Sequence, residues 1–483
     1  MPRVVGVDSS TSACKVEVRD ADDGRVLASG RAPHPPTTPP RSEQAPEAWL
    51  AAFEAAGAAA GVARDGAGAP DAIAIGGQQH GMVACAADGT VLRPAKLWND
   101  TESAPDAEAL RGALPDGAAG WARACGSVPV ASFTITKVGW LRRTEPATYA
   151  RLGALLLPHD WLTGRLTGGR TTDRGDASGT GWWSPAEGRY RTDLLALVDA
   201  DRDWAPLLPA VLGPVDEAGR WGRAIVGPGT GDNMAAALGL GLRPGDLVLS
   251  LGTSATAFGV SERPTADAGG AVAGFADATG RYLPLVCTLN ATKVTDAVAR
   301  LLGVDAARLD ALALEAPAGA GGLVLVPHLD GERTPDRPGA TGTLAGIRSD
   351  VGRAQLARAA VEGVVCNLLA GADHLVRLDP AIGTGRTFLV GGGARSGAYR
   401  RVVADLLGRP VVVPREGELV ACGAAAQAAA VLAGSTPGAV AEAWGLGAGD
   451  AVEPGPGAAV AAEVRAAYAA VAGDGRGAAP RGD

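Results

Sequence analysis

Asp8 ends an apolar run, Val4-Val5-Gly6-Val7, and opens onto Ser9-Ser10-Thr11-Ser12. A short turn of small hydroxyl residues exposes consecutive backbone N–H groups, and these form a concavity suited to phosphate oxygens. A carboxylate beside phosphates would be repelled, so Asp8 makes chemical sense with Mg2+ between them. Lys15, just beyond, adds positive charge. Gly252-Thr253-Ser254 offers a second cradle of the same kind. Asp232 follows the flexible stretch Gly227-Pro-Gly-Thr-Gly231 and begins a helical pattern. Held at the mouth between two domains, it could take a proton from a substrate hydroxyl as that oxygen attacks phosphorus. Gly391-Gly392-Gly393-Ala394 follows an apolar strand, and its glycines let a flat ligand such as a base and ribose approach the backbone. Gln78-Gln79-His80-Gly81 and Trp98-Asn99-Asp100 each follow an apolar run, where polar groups are well placed for a hydroxyl-rich ligand. Each of these also has a purely structural reading: a bare hairpin, a helix N-cap aspartate, a strand-to-helix turn, a satisfied core histidine.

The elements that must carry these residues are legible as periodicity and breakers. Strands are expected at Arg3–Asp8, Ala13–Arg19 and Arg25–Ala32, a meander whose first corner is the hydroxyl turn. A Pro-rich loop fills 33–46, and a helix opens at Pro46-Glu47 and runs to Ala63, with proline at an allowed first-turn position. A strand at Ala72–Gly76 precedes Gln78. The pattern returns at Leu247–Leu251 and Thr256–Val260, and Thr387–Val390 precedes the glycine turn. VGVDSSTSACKVEV and VLSLGTSATAFGV are both an apolar strand, a small-hydroxyl turn and an apolar strand, which suggests duplicated halves. A boundary just after the glycine-rich 227–241 stretch divides the chain into 1–241 and 242–470. The last fifteen or so residues, rich in Gly, Ala and Arg, read as a frayed tail.

Composition narrows the function. The chain has 483 residues, a net charge of -8, 20% charged and 47% hydrophobic residues. That is ordinary for a soluble globular enzyme and argues against a nucleic-acid partner, which would show a basic face. The start carries no basic-then-apolar leader, and no run of 18 uncharged apolar residues suggests a membrane span. The 6 Cys are widely spaced without C-x-x-C, as expected of reduced thiols in the cytoplasm, and the 5 His show no metal-ligand spacing. No G-x-x-x-x-G-K-[ST], G-x-G-x-x-G or G-x-S-x-G is present, so any ATP use needs another phosphate-binding architecture.

Taken in order, the motifs resemble the FGGY family of carbohydrate kinases, over residues 3–470. The segments Gln78–Gly81, Leu97–Asp100, Ser132–Trp140, Leu157–Leu162, Asp173–Thr180 and Gly331-Glu-Arg-Thr-Pro335 look like the members that phosphorylate D-xylulose. Gly342–Ile347, Gln355-Leu356 and Ala359–Glu362 resemble the C-terminal signature. The resemblance implies an α/β fold of two ribonuclease-H-like domains, of the actin and sugar-kinase superfamily, flanking a deep cleft for ATP and sugar. It implies Asp232 as the base and Asp8 as the acid that organises Mg2+, directly or through water. It implies Ser10, Thr11, Ser12, Lys15, Gly252, Thr253, Gly392, Gly393 and Ala394 as the ATP-binding set. Gln79, His80 and Asn233 fall on sugar-contacting positions, with Trp98 and Asp100 supporting them. ATP is then a substrate, the product is D-xylulose 5-phosphate, and a homodimer is the family expectation. Two departures stand out: Ser10 sits where the family has Gly, and Gln79 where Met is common. The rivals are a family member acting on ribulose, a polyol or a deoxyketose, and a sugar-free ATPase of the actin or chaperone type.

Overall fold

The computed structural model describes residues 1–473; residues 474–483, which make up most of the expected tail, lie outside the described residues. The helix Ala461–Gly473 carries the chain up to that point, so the described part of the tail is helical. Two compact units form. The first takes in Met1–Leu242 and also two later segments, Glu262–Leu283 and Glu416–Gly447; the second comprises Arg243–Ser261, Pro284–Arg415 and the chain from Ala448 onward. Packing therefore does not follow the chain linearly: two segments beyond residue 242 return to the first unit.

In the first unit the strand Arg3–Ser9 is central. It pairs antiparallel with Ala13–Asp20, which pairs with Val26–Pro33, and it pairs parallel with Ala72–Gly77. Ala72–Gly77 in turn pairs parallel with Ala224–Val226 and with the short Thr230–Gly231. The register sets Asp8 opposite both Lys15 and Gly76, and Thr230 opposite Gly76. Three parallel strands thus end side by side, and their carboxyl ends deliver Asp8, Gln78 and Asp232 to one edge. That edge is where open α/β sheets place ligands.

Arg3–Ser9 is buried on both faces, which explains an unbroken apolar run where a half-exposed strand would alternate. One face packs on Trp49, Phe53 and Trp161 in the core. The other is met by the returning helix Leu419–Ala433. That helix lies so close that a Cβ at Gly6 would fall 1.9 Å from the Ala421 carbonyl, and one at Gly423 1.9 Å from the Ala235 carbonyl. The helix Pro46–Ala59 ends earlier than its periodicity predicts, because Gly61 takes a left-handed φ of 71° and breaks it.

The second unit repeats the plan. Leu247–Leu251 pairs antiparallel with Ala255–Gly259 and parallel with Thr387–Val390, and the sheet continues to Val411–Pro414 and Gly449–Val452. Its core helix, Arg353–Leu378, is long and apolar enough to cross a membrane, but 78% of its apolar window is buried inside the protein. Within it Arg358 and Glu362 pair at 2.6 Å, a charged pair suited to a protein core.

Candidate active site

The turn after the first strand is braced from three sides. His34 Nδ1 lies 2.8 Å from the Ser10 carbonyl, Gln44 Nε2 donates to the Thr11 carbonyl at 3.0 Å, and Trp98 Nε1 donates to Thr11 Oγ1 at 2.9 Å. Gln44 is itself held by Trp49 Nε1 at 2.7 Å. His34 and Gln44 were invisible to motif reasoning, because a lone His in a Pro-rich loop and a lone Gln carry no pattern. Asp8 is buried and accepts from Ser10 Oγ and, at 3.2 Å, from Lys15. Burial raises its pKa and Lys15 opposes the rise. Lys15 also reaches Glu418 at 2.6 Å, at the start of the returning helix. Burial would lower the Lys15 pKa, but the Asp8 and Glu418 carboxylates outweigh it and leave it raised.

Asp232 is the first residue of the helix Asp232–Gly239, with Gly231 as its N-cap. Its carboxylate is half-buried and accepts from the backbone N–H of Asn233 at 2.8 Å and from Asn233 Nδ2 at 3.0 Å. Burial pushes its pKa up to about 7, and the negative charges of Asp8 and Asp176 add to the rise. A value near neutrality suits a group that must both accept and release a proton. Asn233 Nδ2 also donates to Gln79 Oε1 at 2.7 Å. Gln79 Nε2, buried beside them, has no protein partner. An unpaired buried amide N–H costs free energy.

His80 holds a left-handed φ of 63°, its ring packed edge-on to Phe133 at 5.1 Å and tilted against Phe275 at 5.3 Å. Gly179 makes room: a Cβ there would fall 2.2 Å from the imidazole. Asp100 stands apart from the expected pocket. It is fully buried, and its oxygens accept from Lys96 Nζ and the Ser42 N–H, both at 2.9 Å, and from the Glu102 N–H at 3.0 Å. It shapes the loop that carries Trp98 rather than offering an oxygen to a sugar. Glu43, Asp100 and Glu102 cluster closely enough to hold a metal ion, but Lys96 Nζ already bonds all three.

In the second unit, the Gly252–Ser254 turn is tied from below: Ala291 N donates to the Thr253 carbonyl at 3.1 Å and Thr292 N to the Gly252 carbonyl at 3.0 Å. The turn Gly391–Ala394 sits at the end of the neighbouring parallel strand. A Cβ at Gly391 would fall 2.6 Å from the Leu251 carbonyl and one at Gly393 2.7 Å from Leu251 Cβ, so only glycine allows this approach. Gly252, Thr253 and Gly392 remain accessible at that edge, whereas Gly393 and Ala394 are buried.

Two family models match, the N-terminal domain of the FGGY family of carbohydrate kinases over residues 3–239 and its C-terminal domain over 247–432. The chain belongs to this family. The xylulose kinase of Streptomyces coelicolor is 48% identical over 94% of this chain and 93% of its own length, and that of Escherichia coli is 35% identical over 84% of this chain and 85% of its own length. The solved xylulose kinase of Bifidobacterium adolescentis superposes with a TM-score of 0.86 at 41% identity, covering 98% of this chain and 99% of the other. Both units therefore carry the ribonuclease-H-like fold expected of the family.

Beneath the FGGY site lies a buried cluster whose motifs were recognised but given no role. His159 Nδ1 lies 2.8 Å from Asp176, and its Nε2 faces Asp160 at 3.3 Å and Asp173 at 3.8 Å. Burial would lower the imidazole pKa; the surrounding carboxylates override it and raise it to about 9. Asp160 is pushed up to about 7 by burial. Asp173 accepts from Thr230 Oγ1 at 2.7 Å, two residues before Asp232, and Asp176 accepts the backbone N–H of His80. One imidazolium thereby ties together the two backbones that present Asp232 and His80.

Proposed function

We propose that this protein is a xylulose kinase, transferring the γ-phosphoryl group of ATP to the 5-hydroxyl of D-xylulose. The reading is carried by near full-length identity to xylulose kinases, and it agrees with a half-buried Asp232 beside Asn233 and an unpaired Gln79 donor. The sugar oxygen forms a bond to the γ-phosphorus, the bond from that phosphorus to the ADP oxygen breaks, and the hydroxyl proton passes to Asp232. The products are D-xylulose 5-phosphate and ADP. Phosphoryl transfer depends mainly on positioning and charge stabilisation. Lys15 and the Ser10–Ser12 N–H groups bind phosphate oxygens, as does the Gly252–Thr253 turn of the second unit, and Gly391–Ala394 takes the adenosine. Gln79, His80 and Asn233 position the sugar, with Gln79 Nε2 donating to one of its oxygens.

The donor set also fits Mg2+. The Asp8 charge raises the proton affinity of Asp232, a repulsion that a divalent cation relieves. Asp8 would hold the ion, directly or through water, and when bound it would offset charge on the phosphate oxygens. Asp8 itself keeps Lys15 oriented and charged.

The experiment is ADP release across D-xylulose, D-ribulose, hexuloses, gluconate and glycerol, with mass analysis of the product. Xylulose should give the highest kcat/KM and a product heavier by one phosphate. Preference for another sugar moves the protein to another member activity, and ADP release without a phosphorylated sugar ends the kinase reading.

A further inference from the structure

Gly331-Glu332-Arg333-Thr334-Pro335 stands out in the sequence, and nothing in the reaction above uses it. Glu332 is buried, and its carboxylate accepts from Leu289 N at 2.6 Å, Arg333 N at 2.8 Å, Asn290 Nδ2 at 3.0 Å and Asn367 Nδ2 at 3.0 Å. The next two residues along from Asn290, Ala291 and Thr292, hold the Gly252–Ser254 turn. One buried carboxylate therefore fixes both the base of the second phosphate turn and the backbone of Arg333.

The Arg333 side chain is partly exposed, and its charge acts on the nearby Cys287 thiol. Cys287 is paired with Thr256, and Thr256 with Ser250. Residues directly opposite in a sheet share a face. These three are all partly accessible, while the alternate residues Leu249, Leu251, Ala255, Ala257, Val286 and Thr288 are buried. Arg333 thus joins the open face of the second hairpin. The first hairpin carries a charged pair at the corresponding place: Asp8 stands two residues before the turn residue Ser10 and faces Lys15. In the second hairpin Ser250 stands two residues before Gly252 and faces Thr256, so its own strands supply no cation there. The carboxylate next to Arg333 in sequence, Glu332, is already engaged by backbone and amide donors.

We propose that Arg333 is a phosphate-binding residue of the second hairpin, its guanidinium contacting the phosphate chain of the nucleotide, with Glu332 as its positioning residue. A planar guanidinium suits phosphate oxygens through paired hydrogen bonds. The proposal rests on the kinase reading for its ligand, but binding of ADP can be measured without any sugar, so the two fail separately. The test is calorimetric titration of the full-length protein with ADP and with adenosine, together with KM for ATP and for xylulose. R333M should weaken ADP binding about tenfold or more, the scale of a lost charge-assisted hydrogen bond. It should raise KM for ATP and leave adenosine affinity and KM for xylulose within twofold. R333K should recover part of the ADP affinity. E332Q, which keeps the shape but loses acceptors, should move ADP binding in the same direction with adenosine unchanged. Wild-type ADP affinity in R333M, or equal loss of ADP and adenosine, would overturn the assignment.

Discussion

At the scale of single residues, Asp232 makes a pH prediction with a fixed sign. The base must be ionised to accept the hydroxyl proton, and its pKa is about 7. kcat/KM should therefore rise with pH through about 7 and level off above it, measured from initial rates at low ATP and sugar. His159 makes a stability prediction. Its folded pKa, about 9, lies above the unfolded value near 6.5. Its contribution is complete below pH 6.5 and disappears as pH climbs through 9. The melting temperature should fall across that window in the wild type. H159Q should flatten the fall and cost roughly 3–5 kcal/mol, because it leaves buried carboxylates unpaired; urea titration at pH 6 measures the cost. The turns that carry Asp8, Lys15, Asp232 and the glycines were legible, because turns and helix starts need particular residue types. Motif reading missed His34, Gln44, His159 and Asp176, whose importance comes from burial and partners far away in sequence. It gave Asp100 a supporting place, and the structure shows its oxygens bonded to Lys96 and two backbone N–H groups.

At the scale of elements, strand and turn chemistry was legible and helix packing was not. Leu247–Leu251 and Thr387–Val390 fall where apolar runs and breakers put them, and Arg3–Ser9 differs from expectation by one residue. The returning helix Leu419–Ala433 is rich in alanine. Its composition is explained by what it touches: small side chains let it settle on Gly6 of the first strand and on the helix that begins at Asp232. G423A should therefore destabilise the fold by about 1–3 kcal/mol or more, since a rigid helix backbone blocks the added methyl. Denaturant titration measures it, and a solvent-exposed control such as G438A, where an added Cβ meets nothing within 4 Å, should stay near wild type. Glu418 on the same segment pairs with Lys15, so this segment anchors the first hairpin as well as the sheet.

At the scale of the whole molecule, the duplicated hairpin in the sequence is a duplicated sheet in the structure, with antiparallel neighbours on one side of each central strand and a parallel one on the other. The duplication explains why small-residue turns recur at the ends of equivalent strands, and it makes their differences informative: the first half keeps Asp8 and Lys15, the second Ser250 and Thr256. The exchange of segments between the units was not legible, because no local pattern tells a strand or helix which sheet it will cover. The account turns on Asp232 as the proton acceptor for phosphoryl transfer to xylulose. The direct measurement is the turnover of D232N with ATP, Mg2+ and D-xylulose at pH 8, alongside its ADP and xylulose affinities. We predict a loss of roughly 10²–10⁴-fold in kcat, with both affinities close to wild type. Wild-type turnover in D232N would contradict the account.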